Sequence, residues 1–255
     1  MKNKTLKNRK RGIYILPNLF TVSALFAGFY AIIAALKGIY DNAAIAIFIA
    51  MLMDSLDGRV ARLTNTQTSF GAELDSLSDM VSFGVAPALV TYNWVLANLG
   101  KLGWLAAFVY TVAVALRLAR FNTQLRKIDK RYFQGLSSTA AAGVVAGMVW
   151  LGNDLALSGW LTDIVVAVLT ICLGVLMVSN LRYHSFKDLD LRKHVSFLTI
   201  LAIVLVIVLI AVNPPPILFA LFFLYAISGP IGTIWQLRYK KRQKKALEKS
   251  IASKK

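Results

Sequence analysis

Asp54-Ser55-Leu56-Asp57-Gly58-Arg59-Val60-Ala61-Arg62, followed after eight residues by Gly71-Ala72-Glu73-Leu74-Asp75-Ser76-Leu77-Ser78-Asp79, is the stretch around which this chain is organised. Its four aspartates sit inside or against apolar sequence of helical length. Asp54 and Asp57 are three residues apart, Asp75 and Asp79 four apart, so each pair projects from one face of its helix. Two acidic faces can therefore meet. Carboxylates gathered where the dielectric is low repel one another and resist desolvation, so they take up protons or bind cations. An all-oxygen donor set suits magnesium, manganese or calcium, whereas zinc would call for histidine or cysteine, and neither lies nearby. One or two such aspartates would read as solvated helix ends; four at this spacing do not. Glu73, between the paired positions, reads as a solvated carboxylate.

Two facing carboxylate pairs can hold two cations a few ångströms apart, the arrangement of two-metal phosphoryl-transfer sites, and a diphosphate fits between such ions. Gly58 removes a side chain where a ligand must approach closely. Ala61 is small on the same face, and Arg62 offers a planar fork for phosphate oxygens.

Outside this motif the chain reads as membrane. Hydrophobic residues make up 57% of 255 and the formal charge is +17, with a mean hydropathy of +0.62, a combination foreign to soluble domains. The expected fold class is all-α, a polytopic transmembrane helix bundle of about eight spans. They fall near 17–36, 43–62, 71–93, 103–121, 135–152, 161–181, 194–212 and 215–236, each close to the roughly 20 residues that cross hydrocarbon. Pro17 fits the first turn of the first helix, and Asn213-Pro214-Pro215-Pro216 separates the last two. The first apolar run is too long for a cleaved signal and is followed by further spans. Cys172 is the single cysteine, which leaves no intramolecular disulfide framework.

Charge on the alternate connections fixes the orientation. With the amino terminus inside, 27 of the 29 lysines and arginines lie on the inner side, leaving Lys37 and Lys101 outside. Both termini, and the acidic motif, are thereby expected at the cytoplasmic face of the cell membrane. The chain divides into a basic juxtamembrane segment (1–16), a six-helix core (17–193), two further helices (194–236) and a basic tail (237–255). The basic termini suit anionic lipid head groups. No stacking platform or recognisable fold supports nucleic-acid binding.

The pattern Asp-x-x-Asp-Gly-x-x-Ala-Arg, eight residues, Gly-x-x-x-Asp-x-x-x-Asp resembles the signature of the CDP-alcohol phosphotransferases, with every fixed position filled. The resemblance implies that Asp54, Asp57, Asp75 and Asp79 hold two magnesium or manganese ions and that Asp79 is also the general base. It implies nucleotide or diphosphate contacts at Gly58, Ala61, Arg62, Thr68 and Gly71. Pro17-Asn18-Leu19-Phe20-Thr21 is similar to a family segment lining the nucleotide pocket, which adds Asn18 and Thr21. The family is typically homodimeric.

Three further stretches resemble the serine-using branch: Ser82-Phe83-Gly84-Val85-Ala86-Pro87-Ala88, Arg117-Leu118-Ala119-Arg120-Phe121-Asn122, and Val178-Ser179-Asn180-Leu181-Arg182-Tyr183-His184-Ser185-Phe186-Lys187. Phe133-Gln134-Gly135-Leu136-Ser137-Ser138 is similar too, but departs where a proline usually stands in place of Ser137. The implied reaction displaces CMP from CDP-diacylglycerol with the hydroxyl of L-serine, giving phosphatidylserine. A zwitterion needs a cation for its carboxylate, and charged groups at the membrane edge mark functional sites. Ser82, Arg117, Arg120, Asn122, Tyr183 and Lys187 are the candidate acceptor contacts. Two rival readings are the same chemistry with glycerol 3-phosphate, an inositol phosphate or choline as acceptor, and a divalent-cation transporter.

Overall fold

The computed structural model describes residues 2–124, 132–184 and 197–252. Its long helices are α1 (Lys2–Leu36), α2 (Tyr40–Leu63), α3 (Ser69–Asp79), α4 (Ala86–Trp94), α5 (Lys101–Gln124), α6 (Ser138–Asp154), α7 (Trp160–Val178), α8 (Phe197–Val212) and α9 (Pro214–Ala252). The all-helical expectation holds but for two three-residue strands, β1 (Tyr132–Gln134) and β2 (Arg182–His184). They pair antiparallel, Phe133 opposite Tyr183.

Four helical segments are long and apolar enough to cross a membrane: Leu16–Leu36, Lys101–Thr123, Trp160–Val178 and Pro214–Thr233. Together with the composition they mark a membrane protein. The other expected spans depart from that pattern for visible reasons. Charged side chains interrupt α2, α6 stops at 17 residues and α8 at 16. The expected span over 71–93 is divided: between α3 and α4 the chain takes the wider π turn over Met80–Val85, a feature frequent at functional sites.

Two helices run further than expected. α1 begins at Lys2, so Pro17 lies inside it and not in its first turn; the lysines, arginines and leucines before it are good helix formers. α9 continues to Ala252 through the basic tail, since nothing after Gly232 breaks a helix.

Small residues bring the helices close. Ala24, Ala27, Ala31 and Ala34 share a face of α1 and are buried with Ala43, Ala46, Ile47 and Ala50 of α2, Phe83 and Val90, and Ala142, Ala146 and Val149 of α6. A second core joins α5, α6, α7 and α9 around Tyr110, Val114, Val144, Leu173, Met177 and Tyr183. Hydrogen bonds show which connections share an end. Tyr40 Oη donates to Asn93 O at 2.8 Å and Asn153 Nδ2 to Asp41 Oδ1 at 2.7 Å, which gathers the start of α2 with the ends of α4 and α6. At the opposite end, Gly135 N donates to Leu181 O at 2.8 Å and Asn122 Nδ2 to Ser76 Oγ at 3.0 Å. The acidic motif lies at this second end.

Candidate active site

α2 contributes Asp54 and Asp57, and α3 contributes Asp75 and Asp79. Thr68 starts α3 as its N-cap, accepting from Gly71 N at 3.0 Å through Oγ1, which satisfies a backbone donor left open at the helix start. α1 sets the two acidic helices against each other. Thr21 Oγ1 donates to Asp57 Oδ2 at 2.7 Å, while Ser78 Oγ and Ser82 Oγ donate to Thr21 O and Ala24 O, each at 3.0 Å. Asp57 is only 6% exposed, so its charge depends on partners such as Thr21.

Carboxylate oxygens of Asp54, Asp57 and Asp75 all lie within 4.8 Å of one another. Oxygens bound to one divalent ion at about 2.0–2.6 Å are separated by no more than about twice that length. The three therefore fit a shared hard cation, and the all-oxygen donor set suits magnesium or manganese. The carboxyl of Asp79 abuts that of Asp54 and interacts with Asp75 and with the Arg117 guanidinium. All four aspartates of the motif thus converge, with Asp79 on the Arg117 side.

Beside the carboxylates opens a cleft of about 410 Å³, lined by Asn18, Thr21, Gly58, Ala61, Arg62, Thr68 and Gly71. Every residue proposed to contact nucleotide is on that wall. Arg62 turns back along α2, its Nε donating to Gly58 O at 2.8 Å. A Cβ on Gly58 would meet nothing closer than Arg62 Nη2 at 4.0 Å, so the glycine leaves open space. A Cβ on Gly71 would come to 3.1 Å from Thr68 Oγ1 and 3.3 Å from Asn18 Oδ1. Thr66, Gln67 and Phe121 complete the lining and were missed in the sequence. Thr66 and Gln67 lie in the eight-residue spacer of the motif, which is the signal that could have found them; Phe121 adjoins Arg120 in a quoted stretch. A second hollow, of about 480 Å³, lies between α1 and α2 among Phe26, Tyr30, Ile45 and Ile49 and carries no carboxylate or cation.

The acceptor candidates scatter. Arg117 is half-buried near Asp79, with Nη1 donating to Ser138 Oγ at 3.2 Å. Its Nε is buried and finds no hydrogen-bond partner among the described residues. Arg120 donates to Asn180 Oδ1 at 2.6 Å and to Val178 O at 3.4 Å, and Asn122 donates to Ser76. Two candidates face elsewhere. Ser82 is fully buried; four residues after Ser78, it shares that residue's face toward α1. Tyr183 is also fully buried and donates from Oη to Ala226 O at 2.9 Å under α9. Both hydroxyls are used in packing, which corrects their assignment as acceptor contacts. Lys187 lies outside the described residues.

Residues 14–179 match the family model described as CDP-alcohol phosphatidyltransferase. A Helicobacter pylori (strain J99) protein named CDP-diacylglycerol–serine O-phosphatidyltransferase is 39% identical over 223 residues, 88% of this chain and 92% of its own. Proteins of the same name from Methanocaldococcus jannaschii and Bacillus subtilis are 36% and 34% identical, covering 80% and 68% of this chain and 90% and 91% of theirs. The matched segment begins just before the Asn18–Thr21 stretch and encloses all four converging aspartates. This chain belongs to the CDP-alcohol phosphatidyltransferase family.

Proposed function

We propose that this chain is an integral membrane CDP-diacylglycerol–serine O-phosphatidyltransferase, which transfers the phosphatidyl group from CDP-diacylglycerol to the hydroxyl of L-serine and releases CMP. The observation that carries the reading is the convergence of the motif carboxylates beside a cleft lined by Asn18, Thr21, Gly58, Ala61, Arg62, Thr68 and Gly71. The choice of serine is supported by the names of the relatives that align over most of this chain.

In this reading Asp54, Asp57, Asp75 and Asp79 hold two magnesium or manganese ions. Bound there, the ions supply positive charge to the diphosphate and to the phosphate that departs. Asn18, Thr68 and Arg62 orient the nucleotide and its phosphates, and Phe121 closes the cleft with an apolar wall. Asp79 accepts the proton of the serine hydroxyl as that oxygen bonds to the phosphorus bearing diacylglycerol. The bond from that phosphorus to the bridging oxygen breaks, and CMP leaves. Arg117 receives the serine carboxylate, since its buried Nε–H needs an acceptor.

The protein would span the cytoplasmic membrane about eight times, with both termini and the active site at the cytoplasmic face. The asymmetry of 27 inner to 2 outer basic residues supports this orientation. Assembly as a homodimer is what the family resemblance implies.

The test is CMP release from CDP-diacylglycerol with magnesium or manganese, run with L-serine, glycerol 3-phosphate, an inositol phosphate, choline and no acceptor. Serine-dependent release that disappears on chelation is the expected result. Release with another alcohol alone would remove the serine assignment; folded, metal-binding protein with no release, together with metal flux into vesicles, would favour a transporter.

A further inference from the structure

The segment matched by the family model ends at residue 179, yet α9, beyond it, is built into the wall beside Arg117. Phe219 and Phe222 of α9 lie over Gly147 and Gly143 of α6, where an added Cβ would come to 2.8 Å of Phe219 Cα and 2.6 Å of the Phe222 ring. The bond from Tyr183 Oη to Ala226 O pins the same helix to β2. A Cβ on Gly229 would strike the Tyr183 ring, so that contact too depends on a missing side chain. Held in this way, α9 turns Tyr225 inward: it packs on the second core, its ring 5.7 Å from that of Tyr183.

From there Tyr225 interacts electrostatically with Arg117, the residue that also interacts with Asp79. Arg117 therefore stands at a junction of three helices. α5 carries it, Ser138 at the start of α6 takes Nη1, and Tyr225 of α9 adjoins it. A buried guanidinium with a donor left over is costly unless a ligand completes it, and its fork serves a carboxylate only if its plane is fixed.

We infer that Tyr225 is a positioning residue, which sets the Arg117 guanidinium to receive the carboxylate of an amino-acid acceptor and so makes the last helix a determinant of acceptor affinity. The inference rests on the serine reading above. It assigns to α9 a function at the site, beyond anchoring.

The experiment is a double-mutant cycle on the full chain in lipid nanodiscs, using Tyr225→Phe, Arg117→Lys and the double variant, with KM for L-serine, kcat, and stabilisation by CDP as readouts. Tyr225→Phe removes one hydroxyl and keeps the ring. Loss of a hydrogen-bonding group that acts on a charge should raise the serine KM about tenfold, with kcat changed less than twofold and the shift in melting temperature with CDP retained. The double variant should be no worse than Arg117→Lys alone, because both changes act through one group. An unchanged serine KM in Tyr225→Phe, or effects of the two substitutions that simply multiply, would overturn the inference while leaving the serine reading intact. Absence of serine turnover by the unsubstituted chain would remove that reading and the inference with it. Should Tyr225→Phe lower the melting temperature without CDP, Tyr183→Phe is the control: it loosens α9 without touching Arg117, and a matching rise in serine KM there would assign the effect to packing and overturn the inference.

Discussion

Asp79 and Asp57 carry the same functional group and differ in their neighbours. Asp79 stands between Asp54 and Arg117, on the side where an acceptor hydroxyl would enter. Asp79→Asn should lower serine-dependent CMP release by about 10²–10⁴-fold, the range for loss of a general base, while CDP still stabilises the folded protein in a thermal melt. Asp57 has its orientation set by Thr21 at 2.7 Å. Thr21→Val keeps the shape and removes the donor, so magnesium or manganese should bind about 10–100-fold more weakly. Metal titrations followed by melting temperature would read this, and an unaltered titration would show that the hydrogen bond does not orient the ligand. The i, i+3 and i, i+4 spacings of the four aspartates were legible in the sequence because they are local geometry. Ser82 and Tyr183 were not: a hydroxyl is equally suited to a ligand or a carbonyl, and only the tertiary neighbours, Ala24 and Ala226, decide between them.

Among the elements, glycines mark where backbones approach. Gly147 on α6 faces Phe219 Cα at a distance no added methyl can accept, whereas a Cβ on Gly232 of α9 meets nothing within 4 Å. Gly147→Ala should therefore destabilise by about 1–3 kcal/mol through overpacking, and Gly232→Ala should be neutral or stabilise by roughly 0.5–1 kcal/mol through reduced backbone freedom. Thermal unfolding of the two variants checks the sign. The helix break at Asn213 was readable from three prolines, and the Gly-Ala stripe of α6 pointed to close packing. The π turn at Met80–Val85 and the β1–β2 ladder were hidden. The turn occurs in a continuous apolar run with no breaker, and three-residue strands are too short to show periodicity.

Across the whole molecule, the alternate connections collect at opposite ends of the bundle, as the Asp41–Asn153 and Asn122–Ser76 bonds record. The basic residues then predict which end faces the cytoplasm. In a Cys172→Ser background, Ser158→Cys between α6 and α7 should react with an impermeant thiol reagent in intact cells. Gln67→Cys, in the motif spacer, should react only after permeabilisation. The reverse pattern would invert the proposed topology. Membrane class and helix order were evident in composition and apolar runs; the contact of α9 with Arg117 was not, because it joins residues more than a hundred positions apart.

The bonds from α1 have a metrological consequence. A helix without a carboxylate in its described half serves as the datum for both acidic helices: Thr21 references Asp57 on α2, and its own carbonyl, with that of Ala24, references Ser78 and Ser82 on either side of Asp79. Spacing between the two halves is thus gauged from a common rule. A small tilt of α1 carries both along together and preserves the interval between them, so the tolerance of the site is set by three hydroxyls on a shared baseline.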